Sequence, residues 1–239
     1  MQKIILIVLF FFLSTLVFGQ TKVANSEILS NDVIAKIFTE NFNKKHGIIY
    51  PISWVYKSID KSGEFFIVLT ESNDNNANAY KDQKNYNIKA YNFHQDKIGL
   101  IKKWEINDFV AYQANYPDLK EREISIWFWT KYSTFVDIDN DGLIDPIIIY
   151  GTSGMNYTGD GRIKILIYYK GKKVVIRHQN GVLDDERNTQ VDKEFYSLPQ
   201  KIQDKVKLIM EKISKDDDVI FPSGWQDNMK KKKLKFDER

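Results

Sequence analysis

The chain has no cysteine among its 239 residues. This absence excludes disulfide bonds, thiolate zinc ligands, a thiol nucleophile and a lipid anchor attached through cysteine. Stability must therefore come from a hydrophobic core and from any bound metal. The composition supplies such a core, because 43% of the residues are hydrophobic and 14% are aromatic.

Several catalytic motifs are also missing. The three histidines are widely separated, so no common zinc spacing is present. The segment Gly151–Gly154 resembles a nucleophile elbow, but Met155 stands where that motif needs glycine. Gly159–Gly161 is too short to cradle a phosphate. Nothing in these patterns predicts a catalytic residue.

Positive and negative charges nearly balance, with 35 Lys and Arg against 32 Asp and Glu. The formal net charge is +3 and falls to +2 when Lys3 is removed with a leader peptide. A nearly balanced charge does not predict binding to nucleic acid.

Long apolar runs are absent except at the start of the chain. Ile4–Phe18 is an apolar run of 15 residues, whereas a membrane-spanning helix needs about 20. Lys3 precedes the run, and the small residues Val17 and Gly19 fit a cleavage site. Residues 1–19 are therefore predicted to be a signal peptide. We expect an exported protein, periplasmic, cell-surface or secreted, with no stable membrane span after cleavage.

The rest of the chain is predicted to form one α+β domain over residues 20–215, followed by a charged tail over 216–239. The spacing of apolar residues predicts a helix from about Asn31 to Phe42 and another that opens at Ser197–Gln200 and runs to about Ser214. Between them, short β-rich segments separated by turns predict mainly antiparallel strands. They suggest two degenerate four-stranded units, like propeller blades, arranged as an open sheet or a sandwich.

One strand has two apolar faces. Trp127 and Trp129 lie on one side, and Ile124, Ile126 and Phe128 lie on the other. This pattern is typical of a central buried strand, although exposed tryptophans would also suit sugar binding.

The most specific feature is an acidic loop between two apolar segments, Phe135–Val136 and Ile147–Tyr150. Carboxylates recur at every second residue, as expected for Ca²⁺, which binds six to eight oxygens. Gly142 permits a sharp backbone turn within the loop. The predicted ligands are the side chains of Asp137, Asp139, Asp141 and Asp145 and the backbone carbonyl of Leu143.

Two other interpretations of this loop are weaker. An EF-hand would need glutamate where Ile148 stands. A metal-free turn would leave four aspartates to repel one another within nine residues. We expect the ion to have a structural role.

A second group of polar residues follows the loop in sequence. Strand pairing could bring these residues onto one rim as a saccharide or peptide site. The candidates are Tyr157, Arg162, Arg177, His178 and Asn180.

The acidic loop resembles the loop of FG-GAP-type repeats and the first half of dockerin loops. Residues Phe128–Gly154 and Gly161–Asp185 are similar to an uncharacterised secreted bacterial family linked to surface polysaccharide biosynthesis. The resemblance implies a process and a partner, cell-envelope polysaccharide or another envelope protein, but no catalytic residue. We therefore expect a non-catalytic module. A glycan-acting hydrolase or transferase that uses loop carboxylates and a calcium-stabilised protein-interaction module remain alternatives. The loop carboxylates are Asp160, Asp184, Asp185 and Glu186.

Overall fold

The computed structural model describes residues 24–74, 85–111 and 123–238. Within these ranges the chain forms two antiparallel sheets and four α-helices, which confirms the predicted α+β fold. The predicted signal peptide lies outside the described residues.

The first sheet is built from consecutive antiparallel strands, each paired with the next along the chain. They are β1 (Asn25–Ile28), β2 (Ile52–Asp60), β3 (Gly63–Glu71), β4 (Asn87–Asp96) and β5 (Gly99–Phe109).

The second sheet has seven antiparallel strands in the order β12-β11-β10-β9-β8-β6, with β7 also paired to β8. Its strands are β6 (Ser125–Phe128), β7 (Thr134–Val136), β8 (Asp145–Ser153), β9 (Arg162–Tyr169), β10 (Lys172–Gln179), β11 (Asn188–Val191) and β12 (Lys235–Asp237).

The helices lie at the two ends of the sequence. They are α1 (Asn31–Ile37), α2 (Glu40–His46), α3 (Gln200–Lys215) and α4 (Trp225–Lys230). The core consists of three hydrophobic clusters, and the largest joins the second sheet to α3 and α4. A smaller one joins the first sheet to α1 and α2.

The third cluster lies between the sheets and makes the molecule a sandwich. It contains Ile67 and Leu69 from the first sheet and Ile148 and Leu166 from the second. All nine residues of β8 are buried, because both faces of this strand are covered. The sandwich was one of the two arrangements that the strand pattern predicted.

The N-terminal helix differs from its prediction. The chain leaves the helical conformation at Phe38, which is buried, and helix α2 begins after Thr39. The Thr39 hydroxyl accepts a hydrogen bond from the backbone NH of Phe42 and so caps the new helix. The predicted single helix is therefore two short ones.

The C-terminal helix is confirmed, and its apolar stripe is buried as expected. The segment after it is not a solvated tail. Val219, Phe221, Trp225 and Met229 belong to the core, and β12 pairs with β11. Residues 216–238 therefore fold onto the second sheet.

The tryptophan strand has both faces covered, although β6 is last in the hydrogen-bonded order of its sheet. Ile126 and Phe128 belong to the cluster between the sheets. Trp129 is buried on the opposite side, and Trp127 packs against that second cluster. The strand is therefore a covered end strand, not a central one.

Candidate metal centre

The acidic loop closes a hairpin between two strands of the second sheet. Strands β7 and β8 pair antiparallel, with Val136 opposite Asp145, and residues 137–144 connect them. Asn140 and Gly142 have positive φ angles of 67° and 87°, which turn the backbone sharply. The loop thus joins two strands, as the sequence predicts.

Three of the predicted carboxylates converge. Asp137, Asp139 and Asp145 each have an oxygen within 4.8 Å of the other two. Two oxygens bound to one calcium ion at roughly 2.3–2.6 Å lie at most about 5 Å apart. The cluster can therefore hold a metal ion.

The first two of these carboxylates also organise the loop backbone. Asp137 accepts hydrogen bonds from the backbone NH groups of Asp141 and Gly142, at 3.1 and 2.8 Å. Asp139 accepts a second bond from Asp141, at 3.1 Å. Since these bonds fix the carboxylates, the cluster is preorganised for a ligand.

Asp145 is the buried member of the cluster, with an exposure of 1%. Its carboxylate accepts a hydrogen bond of 3.0 Å from the backbone NH of Ile138. Burial, together with the charges of Asp139 and Asp141, raises the pKa of Asp145 to about 6. A bound cation would offset both the burial and the repulsion.

Asp141 is oriented differently from the other three aspartates. Its carboxylate forms an ion pair of 2.9 Å with Lys170 and accepts the backbone NH of Leu143, also at 2.9 Å. It lies outside the group of three converging carboxylates. Asp141 therefore links the loop to the turn between β9 and β10.

The first sheet contacts the loop through the turn between β2 and β3. Lys61 Nζ donates to the backbone carbonyl of Asp141 at 2.6 Å, and Asp60 accepts the backbone NH of Ile144 at 2.9 Å. A Cβ atom on Gly142 would overlap the Lys61 side chain. The loop therefore holds the two sheets together at this end of the sandwich.

Two other side chains reach the loop from the second sheet and from α3. The Tyr169 hydroxyl donates to the Asp139 carboxylate at 3.2 Å. Lys201 Nζ donates to the Asp139 backbone carbonyl at 3.1 Å. Sequence reasoning missed these neighbours because they are 30 and 62 residues away along the chain.

The five residues predicted to form a ligand rim lie in different environments. Tyr157 is 65% exposed, and its ring is 5.8 Å from that of Trp127. Arg162 lies between the sheets, where it forms ion pairs with Asp108 at 3.0 Å and Glu123 at 2.6 Å.

The other three rim candidates lie on β10 or directly after it. Arg177 pairs with Asp192 at 2.6 Å, whereas the next residue, His178, points to the opposite face and is buried. Asn180 is also buried and donates to the backbone carbonyl of Thr158. The structure does not bring the five onto one rim, because two of them fill internal positions.

The fold and the loop define a helix-flanked β-sandwich with an acidic cluster in a strand-connecting loop. Neither a protein-family model nor a curated protein nor a solved structure matches the chain. Within the described ranges, no helix combines the length and the apolar composition needed to cross a bilayer.

Proposed function

We propose that the chain is an exported, calcium-stabilised, non-catalytic module that acts in the handling of cell-envelope polysaccharide. The observation that carries the calcium assignment is the convergence of Asp137, Asp139 and Asp145. The remaining parts of the proposal rest on the apolar run near the N-terminus and on the family resemblance.

Calcium suits this cluster better than magnesium or a transition metal. The three side chains offer only oxygen, and no cysteine is present in the sequence. Magnesium requires a nearly ideal octahedron at roughly 2.0–2.1 Å, whereas calcium accepts flexible shells of six to eight oxygens. An irregular loop with carboxylates at alternate positions favours the larger ion.

The ion would act on the fold. The loop receives contacts from the β2–β3 turn, from Tyr169 and from Lys201. Neutralising the carboxylates at this junction would stabilise the hairpin and, through it, the attachment of the first sheet. A ligand that binds only the native state stabilises that state by mass action.

Isothermal titration calorimetry with CaCl₂ and with MgCl₂ tests the calcium assignment. We expect one site per chain with a preference for calcium, and at least a tenfold loss of affinity in Asp137→Asn. Asp185→Asn is the matched control, because Asp185 is exposed and remote in sequence from the loop. The assignment would be ruled out if adding calcium released no heat, or if Asp137→Asn and Asp185→Asn bound calcium with equal affinity.

The polysaccharide role needs a separate experiment. Full-length protein would be expressed in a bacterium, followed by fractionation and by co-precipitation of the purified protein with isolated envelope polysaccharide. The proposal expects a shortened, exported chain that retains polysaccharide. Retention in the cytoplasm, or no polysaccharide above the level seen with albumin, would contradict it.

A further inference from the structure

A cleft of about 380 Å³ opens between the two sheets beside the acidic loop. Residues of β3, β4 and β5 line one side, and residues of the loop and of the β9–β10 turn line the other. The volume falls within the range of ligand pockets, roughly 300–1,000 Å³.

The unusual group in this cleft is the side chain of Asn92. Along β4, Ile88 and Ala90 on the same face belong to the apolar cluster between the sheets. Asn92 continues that face and is only 3% exposed. Across residues 24–74, 85–111 and 123–238 its side-chain amide forms no hydrogen bond, and its polar atoms are not among the fully enclosed unpaired ones. The amide therefore faces the open space of the cleft, where water or a ligand can bond to it.

Two more polar groups line the cleft, the buried Tyr168 and the half-buried His94. Tyr168 is 6% exposed, and its ring stacks on Trp104 at 4.1 Å. The His94 ring stacks on Phe65 at 5.2 Å. In the part of the chain that the structure describes, neither the Tyr168 hydroxyl nor the His94 ring forms a hydrogen bond. Three polar groups on one cleft are thus free to bond to a ligand or to water.

The chemistry of these groups defines the ligand class. Burial, aided by Lys103, lowers the pKa of His94, so its ring is neutral at pH 7 with one donor and one acceptor. Together the amide, phenol and imidazole offer uncharged donors and acceptors. Charged residues also line the cleft: Asp60 bonds to Ser62 and Ile144, Lys170 pairs with Asp141, and Lys103 is exposed. In each aromatic pair the two rings stack on each other, His94 on Phe65 and Tyr168 on Trp104. No gap between parallel rings is therefore left for a planar nucleotide base. A compact ring with hydroxyl groups at its edge and apolar C–H faces matches this lining.

We infer that the cleft binds one neutral sugar residue of a saccharide. Asn92, His94 and Tyr168 form hydrogen bonds to its hydroxyl groups, and Trp104 provides an apolar wall. The inference rests on the proposed polysaccharide function and deepens it, because it assigns the sugar to a particular site.

The cleft and the metal centre share residues. Leu143 and Ile144 of the acidic loop line the cleft, as does Lys170, which pairs with Asp141. Calcium that fixes the loop therefore also fixes one wall of the sugar site. Because such coupling is reciprocal, sugar binds more tightly with calcium, and calcium binds more tightly with sugar.

The test measures binding of the full chain to the methyl glycosides of glucose, galactose, mannose, rhamnose and N-acetylglucosamine. Saturation-transfer NMR detects contact, and titration in 1 mM calcium gives the affinity. We expect at least one glycoside to bind, with at least a tenfold loss in Asn92→Ala. Asn107→Ala, at an exposed position of β5, is the matched control and stays within twofold of the wild type.

A stability measurement separates a functional Asn92 from a structural one. Asn92→Leu replaces the amide by an apolar side chain of similar size, so it should abolish sugar binding without lowering Tm. A structural role for the amide predicts a lower Tm. Equal sugar affinity in wild type and Asn92→Ala, or no contact with any of the five glycosides, would overturn the inference.

The outcomes also separate this inference from the proposed function. Polysaccharide retained equally by the wild type and Asn92→Ala would move the sugar site elsewhere and leave the proposed function standing. A wild-type chain that binds sugar but shows no calcium binding would count against the metal centre and leave the cleft in place.

Discussion

Arg162 joins two carboxylates in the interior of the sandwich. Its guanidinium contacts Asp108 and Glu123, and Lys164 also donates to Asp108 at 2.6 Å. Burial opposes ionisation of Asp108, but hydrogen bonds and charges from Arg162 and Lys164 lower its pKa to about 2. Arg162, which the sequence suggested for a ligand rim, therefore links β9 of the second sheet to β5 of the first.

Arg162→Met should be strongly destabilising. It leaves Glu123 without its ion pair, whereas Asp108 keeps Lys164, so we expect a cost of about 1.5–3 kcal/mol. Urea unfolding measures the free energy, with Arg177→Met as the control. The pair of Arg177 with Asp192 is more exposed, so its loss costs about 1 kcal/mol or less. Similar costs for the two variants would show that the Arg162 network is not important for stability.

His178 makes stability depend on pH. Burial lowers its pKa to about 4, whereas the unfolded value is about 6.5. The unfolded state therefore binds more protons between pH 6.5 and pH 4. The neutral His178 contributes fully to the free energy of unfolding above pH 6.5, and this contribution is lost as the pH falls towards 4. Between pH 7.5 and pH 4.5 the wild type should lose about 2–3 kcal/mol more than His178→Asn. The asparagine retains a group that can bond to Thr189 but does not titrate. Parallel curves of unfolding free energy against pH would contradict this assignment.

At the scale of single elements, the acidic loop depends on one glycine. Gly142 combines a positive φ with the passage of the Lys61 side chain over its α-carbon. The overlap comes from a different sheet, so it is invisible in the local sequence. The sequence predicted the need for glycine from the turn alone.

Gly142→Ala should destabilise the protein by about 1–3 kcal/mol, mainly through backbone strain at positive φ, because the overlapping atoms are the exposed end of the Lys61 side chain and can shift at a small cost. Gly171→Ala is the control. It has a similar φ of 76° but open space at the Cβ position, so only the strain of about 1 kcal/mol remains. Chemical denaturation of both variants gives the comparison. Adding Lys61→Ala should recover part of the Gly142→Ala loss, and no recovery would show that Lys61 does not cause the overlap.

Local patterns predicted those elements that depend on local chemistry. Alternating carboxylates placed the loop, and the spacing of Ile202, Val206 and Ile213 placed α3 with the correct buried face. The break at Phe38 was not predicted, because Phe38 fits the apolar stripe of one continuous helix. Only its burial against Phe66 and Phe93 shows why the chain turns there.

The cleft could not be predicted from the sequence, because it depends on contacts between residues far apart in the chain. Asn92 interrupts an otherwise apolar face of β4, and that interruption was the available signal for the cleft. Asn92 becomes part of a cleft only together with residues of the other sheet such as Tyr168. The proposed rim failed to assemble for a local reason, since successive strand residues such as Arg177 and His178 point to opposite faces.

At the scale of the whole molecule, the C-terminal segment closes the largest core. Val219, Phe221, Trp225, Met229 and Phe236 belong to it. Their charged neighbours give the segment the composition of a tail, and composition alone cannot detect five apolar anchors spread over it.

Deletion of residues 216–239 should prevent folding. Each fully buried apolar side chain contributes roughly 1.5–3 kcal/mol. Five of them together match a typical total stability of about 5–15 kcal/mol. Circular dichroism and thermal melting would then show no cooperative transition. Replacing Lys230–Lys233 by glutamine is the control, because it removes the charge run and retains the core. A truncated chain that melts like the wild type would contradict the core assignment.

Calorimetric melting of the full chain in saturating calcium and in chelator tests the central claim most directly. If calcium is present at about a hundred times its Kd, it stabilises the native state by about 2.7 kcal/mol, which raises Tm by about 5–10 °C. The account predicts this shift in the wild type and its absence in the double variant Asp137→Asn, Asp139→Asn. An identical Tm for the wild type in calcium and in chelator would contradict it.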